Sequence, residues 1–78
     1  MKSGFGLVLF RRLEREEVLA IARAHAESRN WPWEEPVVVQ MGLFTAHVMT
    51  NSEYRGGNVN VWISHQTGEV RKSQLVSR

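Results

Sequence analysis

The 78-residue chain is long enough for one domain and too short for two. It has no cysteine, so neither a disulfide nor a thiolate-held metal can reinforce a core that hides only about 60–65% of the unfolded surface. Ten Lys and Arg stand against eight acids, every one of them Glu, for a net charge of +2; that is too small and too dispersed for the basic stripe of a nucleic-acid binder, and no Asp is present for hard-metal or carboxylate chemistry.

Behind Lys2, the residues Phe5, Leu7, Val8, Leu9 and Phe10 form a short apolar run that Arg11-Arg12 ends. It is too short for a secretory signal and far below the ~20 apolar residues of a membrane span. The expectation is a cytoplasmic protein with no membrane partner. Leu7 to Phe10 can add a strand to the sheet or extend the helix upstream, and the pattern favours neither.

From Leu13 to Arg29 the period is helical. Val18, Ile21, Ala22 and His25 make a stripe that Leu19 and Ala26 widen, with Arg15, Arg23 and Glu27 outside it. With Glu14 as N-cap, Leu13 and Val18 take the spacing of a hydrophobic staple, and Glu16 and Glu17 suit the positive end of the dipole. Asn30 and then Pro32 mark the stop. Trp31-Pro32-Trp33-Glu34-Glu35-Pro36 reads as a rigid connector whose tryptophans cover the end of the core.

After Pro36 the period becomes two. Val37, Val39 and Met41 alternate up to a turn or bulge at Gly42. Phe44, Ala46 and Val48 then define one face of a second strand, and Thr45, His47 and Met49 the other. A polar loop from Asn51 to Gly57 carries Tyr54. Val59, Val61 and Ile63 point inward from a third strand, with Asn58, Asn60, Trp62 and Ser64 opposite. His65 to Gly68 is a hairpin loop, and Val70 to Val76 a more polar, edge-like fourth strand. The fold expected is α+β: one domain over 1–78, with an N-terminal helix packed on one face of an antiparallel meander of about four strands.

Candidates for chemistry are few. No serine stands in a nucleophile-elbow pattern, and the three histidines have no metal-ligand spacing. His25 reads as a packed helix residue and His65 as an exposed turn residue; His47 falls on the outer sheet face. Gly56-Gly57 lacks the Lys-Ser/Thr ending of a phosphate loop. No catalytic residue, metal or cofactor is expected, and the chain does not read as an enzyme. Trp62 is the more informative residue, because if Val61 and Ile63 are inside, Trp62 is outside. Partner binding, a homodimer contact, and coverage by the fourth strand, by the N-terminal segment or by Arg71 are the three ways to account for it.

The stretch Leu13-Glu14-Arg15-Glu16-Glu17-Val18-Leu19-Ala20-Ile21-Ala22 resembles the opening helix of PepSY-like domains, and Gly57 to Val70, with its Thr67-Gly68-Glu69-Val70 turn, is similar to their closing hairpin. The double glycine before that strand also resembles small bacterial immunity proteins that neutralise polymorphic or contact-delivered toxins. The similarity spans about Leu13 to Val76. It departs from PepSY-like domains in the missing export signal, and in Ser64-His65 where an acidic residue is common. What it implies is a stand-alone cytoplasmic binder whose partner is a protein, such as a toxin. The residues expected to meet that partner are Trp62, His47, Met49 and Asn60 on the sheet and Tyr54 and Arg55 in the loop. The alternative is a nucleic-acid-binding module on the same face, with Arg71 and Lys72 meeting phosphates.

Overall fold

The computed structural model describes residues 12–77. Helix α1 spans Arg15–Ser28, and strands β1 (Val38–Met41), β2 (Thr45–Met49), β3 (Asn58–Ser64) and β4 (Val70–Val76) follow. The strands form one antiparallel sheet in the order β1-β2-β3-β4. Leu7 to Phe10 lie outside the described residues. No described helix is long and apolar enough to cross a membrane.

The helix starts and stops by side-chain and backbone devices that its sequence carries. Glu14 is the N-cap, and its backbone N–H donates to Glu17 Oε1 at 2.9 Å, half of a capping box. At the other end Asn30 sits at φ 58°. The Asn30 N–H donates to Glu27 O at 3.1 Å and the Trp31 N–H to Ala26 O at 2.9 Å. These two bonds make a Schellman motif with asparagine in the left-handed position. The motif turns the chain back toward the sheet, and Trp31 and Trp33 then pack against the border of the core.

Val18, Ala22 and Ala26, each four residues from the next, bury completely against Ala46, Val48, Val59, Val61 and Ile63. Two alanines on this stripe let the helix lie close to the sheet. Leu13, Leu19, Ile21, Val37, Val39 and Val70 close the border. The alternation in β3 therefore has the expected phase, with its valines and Ile63 toward the helix.

Two expectations need correction. Phe44 does not share the inner face with Ala46 and Val48; it is 77% exposed, as is Leu43. The Gly42 N–H bonds Thr45 O at 2.9 Å, which leaves Leu43 and Phe44 as the two residues of a tight turn. A Cβ on Gly42 would stand 2.7 Å from that same oxygen, so the close approach requires glycine. His65 is in the hairpin turn as expected, but it is buried there, at 2% exposed. Its N–H donates to Phe44 O at 3.0 Å, so the β2–β3 ladder runs one step past Ser64 and carries the ring inside. The turn spans His65 to Thr67 and is closed by the Gly68 N–H on Ser64 O at 2.9 Å, with Gly68 at φ 75°.

Candidate functional site

The register sets Gln40 opposite His47, His47 opposite Trp62, and Trp62 opposite Lys72. These four residues form one row across all four strands on the face away from α1. The His47 and Trp62 rings stack with centroids 4.4 Å apart and planes 1° from parallel. From the other side, Lys72 Nζ lies 4.8 Å from the Trp62 ring centroid. Because β2 and β4 flank β3, the two contacts occupy opposite faces of the indole. Its edge is the part left to solvent, and Trp62 is accordingly half-buried. The cation over Trp62 is Lys72, where the sequence pointed to Arg71.

The stack is braced from the next row. His47 Nε2 donates to Asn60 Oδ1 at 2.8 Å, which makes Nε2 the N–H-bearing nitrogen and fixes the ring plane. Asn60, opposite Met49 in the register, is 7% exposed, so it holds His47 in place and offers little surface of its own. Trp62, His47, Met49 and Asn60 are thus brought together. An aromatic pair of this kind contributes about 0.5–1.5 kcal/mol beyond its area, and an exposed cation–π contact about 0.5–1 kcal/mol.

Tyr54 and Arg55 belong to a different surface. With Glu34, Asn51 and Gly56 they line a shallow hollow that includes no residue of the sheet face. The loop is held by Asn58, which is 7% exposed. Its Nδ2 reaches Thr50 O at 2.9 Å, Asn51 O at 2.8 Å and Tyr54 O at 3.2 Å, while its Oδ1 accepts from the Gly56 N–H at 2.9 Å. Gly56, Gly57 and Asn51 all take positive φ (86°, 71° and 52°), the backbone form that lets so short a loop fold back onto one side chain. Sequence reasoning placed Asn58 on the outer face and gave it no task. An asparagine directly after a double glycine is the signal that could have found it.

A nucleophile and a base also come within reach of each other. Ser73 Oγ lies 2.8 Å from His25 Nε2, and Arg29 Nε donates to the same nitrogen at 3.0 Å. One lone pair faces two donors, and the guanidinium opposes any charge on the ring. Desolvation, and then Arg29, hold the His25 pKa below its ordinary value. An imidazole so placed is a poor acceptor for a serine proton, and its edge-on contact with Trp31 at 5.8 Å is what a packed residue makes. His65 Nδ1 finds no hydrogen-bond partner among the described residues, and its Nε2 is 3.5 Å from an Arg12 nitrogen. Among the described residues no three His, Cys, Asp or Glu gather where they could hold a metal ion.

A base stacking on this sheet would need an open indole face, and both are taken. The outer face carries an aromatic edge, a methionine, amides and one lysine. No family model matches the chain, and comparison with curated proteins and with solved structures finds no match either.

Proposed function

We propose that this chain is a small non-enzymatic protein-binding domain that lays the outer face of its sheet on another protein, as an immunity or inhibitor protein does when it covers a bacterial toxin's site. The row Gln40–His47–Trp62–Lys72 carries this reading. Its tryptophan is already fixed between His47 and Lys72, so binding costs little side-chain entropy there. The face formed by the outward residues of the four strands contains no Glu, and Lys72 stands on it with exposed Arg71 beside it. A partner surface bearing carboxylates suits that charge. The PepSY-like and immunity-like stretches, Leu13 to Ala22 and Gly57 to Val70, support the specific form of the proposal, and a cytoplasmic setting belongs to it.

Capture from a bacterial host lysate with the wild-type chain identifies the partner, and titration of the purified partner then measures the anchor. Trp62→Ala should weaken that association by roughly 2–4 kcal/mol, the cost of truncating a central aromatic. Its own melt should show only the loss of the stack, about 1 kcal/mol. A Trp62→Ala chain that binds its partner as tightly as wild type removes this face from the contact.

A further inference from the structure

The two edges of the sheet are unlike. β4 carries Arg71 and Lys72 and a register shift opposite Trp62 and Ile63, features that discourage another strand from pairing there. Among the described residues β1 has no comparable feature. From Val37 to Phe44 the chain has no charged residue. Of the exposed large hydrophobic side chains among the described residues, Val38, Met41, Leu43 and Phe44 lie on β1 or its turn, while Tyr54 and Leu75 are elsewhere. Among the described residues β1 pairs with β2 alone.

We infer that β1 pairs antiparallel with β1 of a second copy of this chain, about a two-fold axis at Val39. The hydrogen-bond phase permits it. The Gly42–Thr45 bond sets which residues turn their backbone toward β2, and by alternation these include Gln40 and Val38. Val37, Val39 and Met41 therefore direct N–H and C=O groups to the edge away from β2. A two-fold axis at Val39 lets the two Val39 residues exchange both bonds, sets Val37 opposite Met41 of the partner subunit, and sets Val38 opposite Gln40 of the partner subunit. No like charges meet. Beyond these pairs, the antiparallel arrangement brings the start of one β1 beside the end of the other. Exposed Glu35 precedes β1, and exposed Arg12 donates from its guanidinium to Gly42 O just past its end. Each end of the joint strand pair thus sets a carboxylate near a guanidinium, twice by symmetry. The joined sheet leaves the Trp62 row uncovered, so this inference stands or falls apart from the binding proposal.

Sedimentation equilibrium of the full chain tests it, with circular dichroism confirming that every variant is folded. The wild type should approach twice the 9.0 kDa chain mass as concentration rises. In Val38→Lys/Gln40→Lys, lysines face lysines across the axis and self-association should weaken by about tenfold or more. Val38→Lys/Gln40→Glu, with the same strand phase but opposite charges across the axis, should associate about tenfold or more tightly than the lysine pair. Glu35→Arg should weaken the dimer and remove most of its salt dependence. A wild type that stays monomeric overturns the inference. A dimer indifferent to the lysine pair, or one abolished by Trp62→Ala with the β1 variants intact, overturns it equally.

Discussion

His25 is held by what surrounds its Nε2: the Ser73 hydroxyl, the Arg29 guanidinium and the edge of Trp31. Burial favours the neutral ring most, and the Arg29 guanidinium adds to it. The folded pKa therefore lies below the unfolded value near 6.5, and between the two the unfolded chain binds more protons. Stability should be fully present above the unfolded pKa and should fall as pH drops through the window down to the folded one. Urea unfolding at several pH values would show that slope, and His25→Gln should flatten it; an equal slope in both proteins would assign the pH dependence elsewhere. The contrast with His65 explains what a sequence conveys about single residues. His25 lies in a helical stripe, so its packing was legible. The four residues His65-Gln66-Thr67-Gly68 look like a loop, and only the His65–Phe44 backbone bond reveals that the ladder continues through the first of them. Long-range pairing decided that burial, and the local pattern held no trace of it.

Periodicity served well for whole elements. The sheet could be phased from Val59, Val61 and Ile63, because a central strand buried against a helix must keep one face apolar over its full length. Val61 has no exposure and lies opposite Val48 and Ser73. Val61→Asp should leave a carboxylate without a partner in the core and unfold the domain, at a cost of about 3 kcal/mol or more. A cooperative melt near that of wild type would mean that Trp62, and not Val61, faces the helix. The helix stop was legible too, since asparagine at the left-handed position and proline soon after have one common use. The start of β2 was not. Phe44 fits the alternation of Ala46 and Val48, yet a two-residue turn takes it out of the strand, and neither Leu43 nor Phe44 adopts the positive φ by which hairpin turns are usually recognised in sequence. The outer row was half legible: alternation placed Trp62 and His47 on one face, while their parallel stacking and the reach of Lys72 depended on register between strands.

At the scale of the whole molecule, the occupied indole and the weak charge act together. Single-stranded nucleic acids bind by stacking on free aromatic faces and by releasing counterions from several phosphates. This chain offers neither a free face at Trp62 nor more than a net charge of +2. Fluorescence anisotropy with labelled oligonucleotides should show no binding at physiological salt; micromolar affinity with a steep salt slope would return the sheet face to nucleic acid. The dissimilar sheet edges bear on a different matter, the fate of the protein at high concentration. A strand that adds to one end of a sheet usually exposes another acceptor at the far end, and growth can then run on into fibrils. Here a copy joined through β1 presents only the lysine- and arginine-bearing, irregular β4 at each outer end. The next addition is disfavoured by the charges and irregularity of β4, which the first addition does not meet.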